Sequence, residues 1–310
     1  MRCSKITNIL LLLCLLLPSA AWAEGWVAIL LSDTEAIYHK PIQSFRAAMP
    51  LETREFNLHD NIRRAPQLKK EIFTDPPSLI FALGAKAAFA AKLWTKNHQD
   101  IPVLFAMVLN YQKYHLLDGQ SNITGISSEV NPGNQFLNLT LFAPKIRRIG
   151  VIYSKEYSSE LVAEAKKATE MLGLELIEIP ITAKESFRQS YKELSANVDG
   201  IWVLNDALTY TLDNMDWLQE RCIQDQLVCI GQSGNLAQVG ILLSVRPDSA
   251  GIGVQAASMS KNILDHKQSP ASIGVMDPLG TDISLNRRTA RRIGLSLNPQ
   301  ALNMATTIIE

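Results

Sequence analysis

The chain has 310 residues, 47% of them hydrophobic and 19% charged, and its 30 basic and 30 acidic side chains cancel to a formal net charge of zero. That length suits one large or two medium domains. The neutral balance leaves no electrostatic footprint for nucleic acid, so a nucleic-acid partner is excluded, and no segment after the N-terminal one is apolar enough to cross a membrane.

The N-terminus reads as a Sec signal peptide over residues 1–23. Arg2 and Lys5 give a positive start, Ile9 to Leu17 is an apolar run, and Pro18 breaks it. Ala21-Trp22-Ala23 then puts small residues at both recognition positions of a cleavage site. Cleavage is expected after Ala23, which would deliver a soluble protein to the periplasm. The apolar run is shorter than the roughly 20 residues of a spanning helix, and Leu13 before Cys14 is too large for a lipoprotein signal. After cleavage the cysteines left are Cys222 and Cys229. In an oxidising compartment they could pair; two small buried thiols acting as hydrophobes are the alternative.

Strand-like and helix-like patterns then alternate to the end of the chain. "WVAILLS" (26–32) is an apolar run, followed by a helical segment around 36–48. "SLIFALG" (78–84) leads into the strongly helix-forming "AKAAFAAKLWTKN" (85–97), and "IPVLFAMV" (101–108) is a third strand. "RRIGVIYS" (147–154), "LELIEIPI" (174–181), "DGIWVLND" (199–206) and "LVCIGQS" (227–233) continue the series. Between the first two of these, a helix over 158–172 carries Leu161, Ala165, Ala168 and Leu172 as an apolar stripe. Continuous apolar strands separated by amphipathic helices predict parallel sheets covered on both faces, an α/β fold. The strand–turn–helix–strand plan of 78–105 recurs at 200–231, which suits two Rossmann-like lobes, with "GISSEVNPG" (125–133) as a candidate crossover.

In open parallel sheets ligands bind beyond the carboxyl ends of the strands. The residues there are Ser32 and Asp33, Gly84 and Ala85, Asn110 and Tyr111, Tyr153 and Ser154, Asn205 and Asp206, and Gln232 and Ser233. Many are short and polar, beside helix starts whose unpaired N–H groups and partial positive charge suit a small anion. Ser158 or Ser159 can cap the helix after Tyr153. Tyr111 and Tyr153 could offer flat area to a ring. The same residue types also make turns and caps in any α/β protein.

Chemistry finds less support. None of His39, His59, His98, His115 and His266 has H-x-x-x-H or H-E-x-x-H spacing. No G-x-S-x-G elbow occurs; "GQSGN" (231–235) is a near miss without a recognisable partner histidine. Asp33 and Asp206 could act as acid and base only if brought together, and nothing in the sequence does so. No cofactor is expected.

"RRIGVIYS" (147–154), "ELVAEAKKATEMLGLELIEIPI" (160–181), "VDGIWVLNDAL" (198–208) and "SLNRRTARRIGLSLN" (284–298) resemble the ABC-transporter substrate-binding family related to tryptophan- and tyrosine-binding proteins. The resemblance runs over roughly 78–298. It implies the type I periplasmic-binding-protein architecture, with two lobes joined by three crossover strands and a ligand between them. An N-terminal lobe would comprise 24–125 plus 249–276 and a C-terminal lobe 126–248 plus 277–310. "VRPDSAGIGVQAASMSKNIL" (245–264) resembles the family's return helix, with Asp248 at its start. The function implied is capture of a small molecule, amino-acid-like or aromatic, by a monomer that hands it to an inner-membrane ABC permease. The expected contacts are Ser32, Gly84, Ala85, Asn110 and Tyr111 from one lobe, Tyr153, Ser154, Ser158, Asn205, Asp206 and Gln232 from the other, and Asp248 at the return helix. Tyr153 would stack on the ligand, Asp206 and Asp248 would accept its hydrogen bonds, and N–H groups beside Gly84 and at Ser158–Ser159 would take an anion. Three turns depart from the family pattern. Leu109-Asn110-Tyr111 stands for Ser-Asp-Pro, Ser154-Lys155-Glu156 for Asn-Pro-Gly, and Gln232-Ser233 for a turn that often carries an acidic residue. A site without that acid has less to hold an ammonium. A binding module serving a membrane receptor or kinase, and a secreted hydrolase or isomerase, are the alternative functions.

Overall fold

A computed structural model describes residues 25–310 apart from Ser233; at Gly234 and Asn235 only the backbone is described. The expected signal peptide and its cleavage point lie outside the described residues. The strands are β1 (Trp26–Leu31), β2 (Glu52–Asn57), β3 (Leu79–Leu83), β4 (Val103–Ala106), β5 (Ile123–Ile126), β6 (Arg148–Ser154), β7 (Glu175–Ile181), β8 (Gly200–Val203), β9 (Val228–Gly231), β10 (Leu243–Pro247), β11 (Val275–Met276), β12 (Thr281–Asn286) and β13 (Thr307–Ile309). The helices that matter below are α1 (His39–Ala48), α2 (Ala65–Ile72), α3 (Ala85–Thr95), α4 (Pro132–Phe142), α5 (Ser159–Met171), α6 (Phe187–Ser195), α7 (Leu212–Gln224), α8 (Gly234–Gln238) and α9 (Ser249–Asp265).

Two sheets form. One has the order β2-β1-β3-β4-β5-β11, all parallel; the other runs β7-β6-β8-β9-β10-β12-β13, with the β10–β12 pair antiparallel. The α/β expectation with parallel sheets is met. Alternate residues of a strand feed opposite faces. In β1, Trp26, Ala28 and Leu30 join the side covered by α2 and α3, while Val27, Ile29 and Leu31 join the side covered by α1 and α9. In the second sheet Ile149, Val151 and Tyr153 of β6 face α4 and α5, while Ile152 faces α6 and α7. Burial on both faces is why β1, β3 and β4 are apolar throughout.

The chain passes from one sheet to the other after β5, after β10 and after β11. On the second passage α9 returns to pack on α1. A Cβ at Gly253 would lie 2.2 Å from the Pro41 carbonyl oxygen, so glycine permits this approach. Ser44 Oγ, which donates to Ala250 O at 2.8 Å, reinforces it. The buried Gln255 of α9 braces the third passage: its Nε2 donates to Asp277 O at 2.9 Å and its Oε1 accepts from Leu279 N at 3.0 Å. The first and third passages are tied by Asn131 Nδ2 donating to Asp277 Oδ2 at 3.0 Å.

One expectation from the sequence changes and one open alternative is resolved. The buried side of α5 is Val162, Ala165, Ala168 and Thr169, with Leu161 and Leu172 only partly covered, so the stripe is rotated slightly from the one read off leucines. Of the two states open to the cysteines, the structure has the disulfide, Cys222 of α7 to Cys229 of β9.

Candidate functional site

The carboxyl ends of the strands first build themselves. Asp206 follows β8 and is 4% exposed. One of its carboxylate oxygens accepts from Ser154 N at 2.6 Å, Thr209 Oγ1 at 3.0 Å and Ser158 Oγ at 3.1 Å. The other accepts from Leu208 N at 3.1 Å and Thr209 N at 3.2 Å. Its acceptor capacity is taken up by the protein, so Asp206 fastens the β6–α5 turn to the β8 loop and has nothing left for a ligand donor. This corrects the role expected for it.

Other expected contacts also turn inward. Tyr153 is buried in the second lobe's core, and its hydroxyl donates to Glu178 Oε2 at 3.2 Å, so it offers no stacking face to the cleft. Ser32 is buried with its Oγ accepting from Ala87 N at 3.0 Å, a support for the start of α3. Gly84 has φ +87°, and a Cβ there would fall 2.5 Å from Ser32 Oγ; its N–H already donates to Ala106 O. Gly84 and Ala85 therefore shape the β3–α3 turn rather than an anion cradle, and neither lines the two cavities between the lobes. Ser158 N–H is likewise used, donating to Ser154 O. Ser154 is buried behind Asp206. Asp248 caps α9 by accepting from Ala250 N at 3.0 Å, and its own N–H donates to Gly280 O.

Two cavities open between the lobes, and Asn205 borders both. The first, of about 270 Å³, brings together Asn110, Tyr111 and Ser158 from the expected set. Its wall is acidic, with Glu129, Glu160, Glu164 and Asp277. Burial, and after it the Glu164 charge, lifts the Glu129 carboxyl above the ordinary carboxylate range. Glu164 is lifted by burial and then by Asp277. These carboxylates repel one another, and among the described residues no group of three His, Cys, Asp or Glu is placed to hold a metal ion.

The second cavity, of about 330 Å³, has a different character. Ile37, Met107 and Leu109 supply an apolar wall from the first lobe, and Pro247 and Ile252 extend it at the second passage. Asn205, Gln232, Arg246, Ser128 and Ser249 supply the polar groups. Three of these are unsatisfied. Gln232 is 5% exposed, and both its Oε1 and its Nε2 lack a hydrogen-bond partner among the described residues. Ser128 Oγ and Arg246 Nε are buried and unpartnered as well. Arg246 holds a salt bridge from Nη2 to Asp282 Oδ2 at 3.0 Å, which fixes the guanidinium while leaving Nε free. A buried polar group without a partner costs about 1–3 kcal/mol, so four such atoms around one cavity make it the candidate binding site. Asn205 and Gln232 were legible as strand-end residues. Arg246 and Ser128 were not, because they sit on the passages between lobes rather than after a recognised strand. The one available signal was an arginine closing the apolar run "ILLSVRP" (241–247).

Two parallel-sheet lobes, joined by three chain passages with cavities between them, define a type I periplasmic-binding-protein architecture. The profile of ABC transporter substrate binding proteins matches residues 50–309, and the chain belongs to that family. No curated protein sequence matches the chain significantly. Among solved structures, the chain is similar to the ligand-free, open structure of a substrate binding protein with adhesive properties from Clostridium difficile. The TM-score is 0.74 at 21% identity, over 92% of this chain and 99% of that one. It is similar to a domain from Streptococcus pneumonia in complex with L-Trp, with TM-score 0.58 at 19% identity over 91% and 100%. It is also similar to a leucine binding protein from Thermotoga maritima, with TM-score 0.50 at 11% identity over 77% and 82%.

Proposed function

We propose that this protein captures a small solute between its lobes, without altering it, and presents it to an inner-membrane ABC permease from the periplasmic side. The observation that carries this reading is the second cavity, where an apolar wall from one lobe faces unsatisfied Gln232, Arg246 and Ser128. Ligand contacts from both lobes would favour a closed arrangement, because a ligand shifts a conformational equilibrium only by its differential affinity for the two states. Family membership supports the transport role. The contact set is revised accordingly: Asn205 and Gln232 hold the ligand's polar part together with Arg246 and Ser128, and Met107 and Leu109 cover its apolar part. Ser32, Gly84, Ser154, Asp206 and Asp248 keep the rims in shape. The working unit is one chain with one ligand.

Equilibrium titration of the purified protein against a library of amino acids, organic acids, nucleosides and sugars tests the proposal. Saturable one-to-one binding accompanied by a smaller radius of gyration in solution scattering is the expected result. Asn205→Ala and Gln232→Ala should each weaken that binding at least fivefold. The absence of saturable binding across the library would refute capture.

A further inference from the structure

Gln232, Arg246 and Ser128 form a set whose hydrogen-bonding capacity can be counted. Arg246 Nε–H is a donor only, Gln232 Nε2 is a donor, Ser128 Oγ can donate or accept, and Gln232 Oε1 is an acceptor. None has a partner among the described residues, and Gln232 is 95% buried by its 5% exposure. The sole formal charge on the wall of this cavity is the Arg246 guanidinium, since no carboxylate lines it. Asp282 lies behind, engaged with Arg246 Nη2. Facing this edge are Met107, Leu109 and Ile37, the last two about half exposed.

From this count we infer that the cavity takes a small apolar carboxylate carrying an uncharged hydrogen-bond donor beside the acid, such as an apolar 2-hydroxy acid, and that it discriminates against an ammonium at that place. The carboxylate accepts from Arg246 Nε–H, Ser128 Oγ–H and Gln232 Nε2–H. The neighbouring hydroxyl donates to Gln232 Oε1. An ammonium there would meet neutral oxygens and a guanidinium but no carboxylate, and a buried charge without a counter-charge is strongly disfavoured. A site built for one pattern of donors and acceptors rejects an analogue with the wrong pattern far more sharply than it rejects a change of apolar size. Gln232 is thus the specificity-determining residue. The inference rests on the capture reading above and narrows it to a ligand class.

Isothermal titration of the mature protein with body-matched pairs tests it: leucine, phenylalanine and tryptophan, each against its 2-hydroxy acid and its decarboxylated amine. At least one hydroxy acid should bind at least tenfold more tightly than its amino acid, and the amines should not bind. Gln232→Glu should narrow or reverse that preference, because it places a carboxylate where an ammonium would sit. The wild-type ranking alone decides the matter if the variant folds poorly. An amino acid that binds within tenfold of its hydroxy acid, or more tightly, overturns the inference. If none of these acids binds while another library solute does, the ligand class is wrong and solute capture stands. If nothing binds, both fail.

Discussion

Replacing Asp206 with alanine separates a structural role from a ligand-binding one. The carboxylate is 4% exposed and accepts three backbone N–H groups, from Ser154, Leu208 and Thr209, besides two hydroxyls. The hydroxyls can rotate to other acceptors, but the N–H groups are fixed by the turns that carry them. Each buried donor left without a partner costs about 1–3 kcal/mol, and partial relaxation toward water lowers the sum. The expected loss is about 3–5 kcal/mol. At about 2–4 °C per kcal/mol for a unit of this size, the melting temperature should fall by roughly 10 °C. Asp206→Asn retains one acceptor oxygen while turning an NH2 group toward donors, and should lose less than alanine does. Urea denaturation followed by circular dichroism measures both. A loss below about 1 kcal/mol for the alanine variant, together with a tenfold loss of ligand affinity, would refute the reasoning and return Asp206 to the ligand.

The other predictions test separate parts of the account. Reducing the Cys222–Cys229 disulfide, or replacing both residues with serine, should destabilise the protein by about 2 kcal/mol on the chain-entropy view of a short loop; unchanged urea midpoints with and without reductant would count against a stabilising bridge. Gly253→Ala forces a methyl group against the Pro41 carbonyl and should cost about 1–3 kcal/mol by prising α9 from α1, read by thermal melting. Glu129 has its folded-state pKa raised by burial and by Glu164, so its contribution to stability is favourable at acid pH and is lost as pH rises through the folded pKa. Glu129→Gln should therefore be more stable than wild type at neutral pH, with the gain shrinking as pH falls; a gain independent of pH would show that the carboxyl titrates normally. Tyr153→Phe should leave ligand affinity within twofold in a titration, since the ring faces the core and its hydroxyl meets Glu178.

The fold was legible in the sequence because strands buried on both faces must be apolar throughout, and β1, β3, β4, β6, β8 and β9 are close to that. The edge strand β2, "ETREFN", was not legible, since one flank and much of both faces meet solvent and its residues are polar or partly exposed. β5 was read only as part of a crossover because four residues with a central glycine carry little pattern. The site was only partly legible for a related reason. A strand-end rule locates the rim of the cleft but cannot tell which short polar side chains bond the protein and which are left over. Asp206 and Ser32 have the residue types of ligand contacts and are consumed by N–H groups of neighbouring turns. Gln232 has the same residue type and stays unsatisfied, a difference that depends on distances and not on spacing along the chain. Arg246 escaped notice because the stretch that carries it, "VRPDSAGIGVQAASMSKNIL", was read as the return helix and not as the end of strand β10.

A crystal structure of the protein grown with the tightest-binding solute of the library tests the central claim most directly. The account predicts ligand density between Leu109 and Gln232, with a polar atom within hydrogen-bonding distance of Arg246 Nε. Density confined to the acidic cavity around Glu129 and Asp277, with Gln232 still unpartnered, would contradict it.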